Sequence, residues 1–129
     1  MRILILEDSV DRRNAFRQTL TNHQIFITDR VERAHKELRA AYEDGHAYDI
    51  VMLDNDLGEG LTEGHTLASH IAFDFAHEVG YTDYLQLVYI HSNNVVAADN
   101  MRQTLRRWVK VERIPFSSFP LEQLNLAGA

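Results

Sequence analysis

Residues 51–60 read VMLDNDLGEG. With Ile50 in front, the apolar run 50–53 reads as a strand buried on both faces. An ionised carboxylate is costly in an apolar layer unless it is paired, so the strand has to end at Asp54. Asp56 follows one residue later, and Gly58, Gly60 and Gly64 open the chain into a loop. The two aspartates have three readings: a turn that caps the next helix, a metal site, or a phosphate acceptor. The rest of the chain decides among them.

Working outward, short apolar runs alternate with amphipathic segments. RILIL (2–6) reads as the first strand, and Asp8 or Ser9 can cap the helix after it, with Val10, Phe16 and Leu20 on its apolar face. IFI (25–27) is the second strand, with Thr28 or Asp29 as a cap. Val31, Ala34, His35, Leu38, Ala41 and Tyr42 then recur at helical spacing up to a stop at Gly45. After the acidic loop, Ala68, Ile71, Ala72, Phe75 and Val79 form a third stripe, ended by Gly80. LQLVYI (85–90) is the fourth strand, and Ala98, Met101, Leu105 and Trp108 mark a fourth helix. VKVERI (109–114) is the fifth strand, with room for a short last helix between Pro120 and Leu126.

Strands alternating with helices predict parallel pairing through right-handed crossovers, hence a doubly wound α/β sheet with helices on both faces. Five such units suit the flavodoxin-like strand order 2-1-3-4-5, in which the chain reverses between strands 1 and 3. Ligands bind at such a reversal, beyond the carboxyl ends of the strands.

That order brings three groups to one edge: Glu7 and Asp8 after strand 1, Asp54, Asn55 and Asp56 after strand 3, and His91, Ser92, Asn93 and Asn94 after strand 4. Strand 5 delivers Arg113, Ile114 and Pro115 beside them. Crowded carboxylates repel one another and call for a cation. All-oxygen ligands on Glu7, Asp8, Asp54 and Asp56 favour a hard ion, Mg²⁺ first, with Mn²⁺ or Ca²⁺ as alternatives. Ser92 can donate to a phosphate oxygen, and the backbone N–H groups at the start of the fourth helix face the same space. His65, which opens the third helix, and His91 can both reach the site, although a packed structural role is open for each.

Composition sets the outer bounds. The chain has 129 residues, the length of one domain, so residues 1–129 are expected to form a single unit. There is no cysteine, which excludes a disulfide framework and a thiolate metal site. No signal-peptide pattern and no apolar run of membrane-spanning length occur, so a cytoplasmic protein without a membrane partner is expected. The net charge of −6 does not indicate nucleic acid as a partner. Arg102, Arg106, Arg107 and Lys110 cluster locally and read as a solvated helix face.

The placed residues resemble the receiver domains of response regulators over essentially the whole chain up to about Phe116. The resemblance is carried by ILILEDS, by DIVMLD, by the hydroxyl residue in YIHS, and by the proline–phenylalanine of RIPF. It implies that Asp54 accepts a phosphoryl group from a phosphodonor. It further implies that Glu7 and Asp8 hold Mg²⁺, that Asp56 offers a backbone carbonyl, and that Ser92 binds a phosphoryl oxygen. Ile114 stands where ordinary receivers carry a lysine, and Asp56 is an extra carboxylate. LDNDLG, the loop to Gly64, IHSNN followed by AADNM, and RIPF are similar to a divergent stand-alone group, the cyclic-phosphate-processing receivers.

Three functions follow as expectations. The first is a signalling receiver phosphorylated at Asp54, acting on a protein partner that the sequence does not name. The second is a metal-dependent phosphohydrolase or nuclease acting on a phosphate-bearing ligand such as a cyclic phosphate, with His65 or His91 as acid or base. Its glutamate after strand 1 and D-x-D after strand 3 look like a Toprim site. The third is an inert pseudo-receiver kept as an interaction scaffold.

Overall fold

The computed structural model describes residues 1–54, 66–68, 71, 85–91 and 95–113. The calls on Asp56, His65, Ser92, Ile114 and the short last helix lie outside them.

The described chain runs β1 (Arg2–Leu6), α1 (Val10–Thr19), β2 (Gln24–Thr28), α2 (Val31–Glu43), β3 (Ile50–Leu53), β4 (Leu87–Ile90), α3 (Val95–Leu105) and β5 (Val111–Arg113). Residues 66–68 and 71 are also helical. The five strands form one parallel sheet in the order β2-β1-β3-β4-β5, as the alternating pattern predicts.

Side chains alternate across this sheet with period two, and the two faces build two cores. On one face Ile3, Ile5, Ile50, Met52 and Tyr89 pack against Phe16 and Leu20 of the α1 side. On the other, Leu4, Leu6, Val51, Leu53, Val88 and Ile90 pack against Val31, Ala34 and Leu38 of α2 and Ala98, Met101 and Leu105 of α3. Leu67, Ala68 and Ile71 join this second core. β1 and β3 are buried along nearly their whole length, which is why they read as unbroken apolar runs.

Local chemistry sets the helix ends. Ser9 caps α1: its Oγ accepts from the Arg12 backbone N–H at 3.3 Å. α2 differs from the cap expected at Thr28 or Asp29. Thr28 is the last residue of β2 and its Oγ1 accepts the Arg30 N–H at 3.1 Å, so the N-cap falls on Arg30, whose guanidinium has no acceptor to offer the first turn. Gly45 ends α2 as expected. Its φ of +76° lies in the left-handed region, and the His46 N–H then reaches the Ala41 carbonyl at 2.9 Å.

Three other expectations shift. Val10 is 60% exposed rather than part of the apolar face of α1, where it stands at the first helical position. Trp108 falls in the turn after α3 and is exposed. β5 is shorter than the run 109–114, beginning only at Val111, where its pairing with Val88 starts.

Candidate functional site

The register of the sheet decides which residues meet. Leu6 pairs with Leu53, and Leu53 with Ile90, so the last rung of the ladder joins all three strands. Glu7, Asp54 and His91 each stand one position further. Their backbone N–H groups add one more rung: Glu7 donates to the Thr28 carbonyl at 3.0 Å, Asp54 to Leu6 at 3.1 Å, and His91 to Leu53 at 3.0 Å. Being on one rung, the three side chains share a parity and point to the α1 face. Asp8 has the opposite parity along the chain and is half-buried rather than fully buried.

On that face the trio closes up. Glu7 and His91 are fully buried and Asp54 is 4% exposed. One ligand atom from each lies within 4.8 Å of the others. β3 separates β1 from β4, so the Glu7 and His91 backbones are about 9–10 Å apart at ordinary strand spacing. Two long side chains bridge that gap: His91 Nε2 lies 2.6 Å from Glu7 Oε2, across the strand that carries Asp54. Phe16 meets the His91 ring edge-on at 5.6 Å between centroids, which seals the pair on the α1 side.

The other Glu7 oxygen accepts the Ser9 backbone N–H at 3.1 Å, and Arg12 Nη1 lies 3.9 Å from it. Burial pushes the Glu7 carboxyl up, but the hydrogen bond and charge of His91, the Ser9 N–H and the Arg12 guanidinium outweigh it and hold it below the ordinary value. An ionised carboxylate only accepts hydrogen bonds, so the contact matches the His91 tautomer that donates from Nε2. Asp8 goes the opposite way: partial burial, then the charge of Glu7, raise its carboxyl. Three carboxylates thus stand close together, two of them buried, next to one imidazole and one guanidinium.

This donor set fits a divalent cation, since two buried carboxylates and an imidazole nitrogen converge at near-ligating separations and Asp8 stands at the rim. Of the expected site residues, Glu7, Asp54 and His91 are brought together and Asp8 is adjacent. Asp56, His65 and Ser92 lie outside the described residues. Arg113 is registered against Ile90, one rung before His91, and so falls on the other parity.

The sequence reading left His91, like His65, between a packed role and a role at the site. The signal that could have found it is register: two residues following equivalent strand ends share a face with Asp54, and His91 is one of them.

Solved receiver structures share this architecture. The phosphorylated cyanobacterial phytochrome response regulator RcpA is similar with a TM-score of 0.65 at 19% identity, over 98% of this chain and 87% of that one. Vibrio cholerae chemotaxis protein CheY4 is similar with a TM-score of 0.65 at 12% identity, over 98% and 93%. The signal receiver domain of a putative Luxo repressor protein from Vibrio parahaemolyticus is similar with a TM-score of 0.61 at 17% identity, over 98% and 85%. Identities this low establish the fold: a receiver-type, flavodoxin-like domain. No curated protein sequence matches the chain. The model of the cyclic-phosphate processing receiver domain matches residues 2–107, and the chain belongs to that family.

Proposed function

We propose that this receiver domain takes a phosphoryl group on Asp54, with a divalent cation held by Glu7, Asp8, Asp54 and Asp56, and passes the resulting change to a protein partner. The observation that carries the reading is the buried convergence of Glu7, Asp54 and His91 on one rung of the sheet, at the edge where doubly wound folds bind ligands. Mg²⁺ is the first choice for the carboxylates, with Mn²⁺ or Ca²⁺ as alternatives. When bound, the cation neutralises charge on the phosphoryl oxygens.

An Asp54 carboxylate oxygen attacks the phosphorus of a phosphodonor. The bond from phosphorus to the leaving group breaks, the leaving group departs with the electron pair, and an aspartyl phosphate remains. Glu7 is held in place by His91, Ser9 and Arg12, so its charge stays fixed beside Asp54 during transfer. Ser92 donates to a phosphoryl oxygen. The domain works in the cytoplasm.

The test is beryllofluoride, a phosphoryl mimic, added with Mg²⁺. Binding read by calorimetry is expected for the native protein and lost in Asp54→Asn. Failure to bind, or equal binding by the variant, overturns the reading.

A second reading, a phosphohydrolase for cyclic phosphates, is favoured by one observation. His91 Nε2 lies 2.6 Å from Glu7 Oε2 and within reach of Asp54, an arrangement able to hold a proton during ester cleavage. A panel of 2′,3′-cyclic phosphates and cyclic dinucleotides with Mg²⁺ or Mn²⁺ decides it. Turnover that disappears in Asp54→Ala supports hydrolysis, and complete inactivity removes it.

A further inference from the structure

We infer that His91 is a nitrogen ligand of the cation site and that the site therefore selects a first-row transition ion, such as Zn²⁺, Co²⁺ or Mn²⁺, over Mg²⁺. This rests on the proposal above that a divalent cation binds here at all, and it changes which ion and which residues.

The carboxylates alone call for Mg²⁺. The structure adds a side chain that the all-oxygen reading does not use. His91 is fully buried, its Nε2 faces the carboxylates, and its nearest partner is Glu7 at 2.6 Å. Ligand atoms held at about 2.0–2.2 Å from one small ion lie roughly 3 Å apart. The Glu7–His91 contact is slightly closer than that, and the whole trio lies within 4.8 Å. Small side-chain rotations therefore suffice to convert it into a three-ligand set of Glu7 oxygen, Asp54 oxygen and His91 Nε2.

The backbones of all three are fixed by the ladder hydrogen bonds, so the set is built on strand ends rather than on a loop. Coordination uses the Nε2 lone pair, so the metal-bound ring carries its hydrogen on Nδ1. One imidazole with two carboxylates is a donor set that Zn²⁺ and its neighbours accept readily. Mg²⁺ favours oxygen throughout and gives up its waters reluctantly. Three protein ligands leave positions for water or a phosphate oxygen, and Asp8 at the rim can supply a further oxygen.

A general preference for transition ions exists at any mixed site, so the diagnostic is how far the preference depends on His91. Affinities for Co²⁺, Zn²⁺, Mn²⁺ and Mg²⁺ are measured by calorimetry on the full chain and on His91→Gln. The native protein is expected to bind Co²⁺ and Zn²⁺ well ahead of Mg²⁺. In His91→Gln the Co²⁺-to-Mg²⁺ affinity ratio falls by about tenfold or more, the scale on which groups around a metal act.

A second measurement does not depend on the variant folding. The proton NMR spectrum of the Co²⁺-loaded native protein should show a strongly shifted, exchangeable imidazole N–H signal from Nδ1. An unchanged ratio in folded His91→Gln, or a Co²⁺-loaded protein without such a signal, overturns the inference while leaving an oxygen-ligated Mg²⁺ site standing. If neither Mg²⁺ nor any transition ion binds, the underlying cation reading fails, and this inference with it.

Discussion

His91 Nε2 and Glu7 Oε2 meet at 2.6 Å across an intervening strand, and neither side chain has any exposed surface. The contact depends on reach. Two strand spacings separate the backbones, so the acid has to be long.

Glu7→Asp removes one methylene, and the shortened carboxylate no longer reaches Nε2. The loss of a buried, charge-assisted hydrogen bond is expected to cost about 2–3 kcal/mol, seen as a lower midpoint in urea unfolding. His91→Ala leaves the Glu7 charge buried without its main partner and is expected to cost more, about 3–5 kcal/mol. Equal stability of Glu7→Asp and the native protein would show that the bridge contributes nothing.

The lowered Glu7 pKa makes stability pH-dependent with a definite sign. The folded value lies below the ordinary 4.5, so near and below that pH the unfolded chain binds more protons than the folded one. The stabilisation is complete above about pH 4.5 and is lost as pH falls through the lowered folded value. In metal-free protein, Glu7→Gln should flatten this acid limb of the stability curve. An acid limb unchanged in the variant would assign it to other carboxylates.

Asp8 carries the opposite sign. Its raised pKa means that the ionised form is disfavoured in the fold, chiefly by burial and by Glu7, and the penalty is present above the folded value. Asp8→Asn is therefore expected to stabilise the metal-free protein at neutral pH. The gain is modest, about 0.5–1 kcal/mol, because the side chain is partly solvated and the repulsion is screened. The same variant should gain less melting temperature from added divalent cation than the native protein does. Thermal melts with and without cation check both halves.

Ser9 links the site to α1: its N–H contacts Glu7 and its hydroxyl caps the helix. Ser9→Ala removes only the cap and is expected to cost about 1 kcal/mol. Beryllofluoride binding should persist, since the Ser9 backbone N–H to Glu7 remains. Its loss would show that the cap also positions the carboxylate.

Much of the architecture was legible in the sequence, because burial on two faces writes a strand as an unbroken apolar run and amphipathic helices must alternate with such runs. RILIL and IVML announced β1 and β3, LQLVYI announced β4 although the strand takes only Leu87–Ile90 of it, and the sheet order placed Glu7, Asp54 and His91 at one edge. The cap of α2 was misplaced because Thr28 still belongs to β2, and the helix starts only after Arg30, which has no side-chain acceptor. Trp108 was read into a helix that ends at Leu105.

The family resemblance was also readable from short motifs around the strand ends. Which of the residues at those ends touch was a different matter. The sequence by itself determined that carboxylates follow β1 and β3 and that a histidine follows β4. Only the tertiary structure decided that Glu7, rather than Asp8, shares a rung and a face with Asp54 and His91. The reason is register: side chains alternate with period two, so a slip of one residue between parallel strands would have turned any of the three to the opposite face.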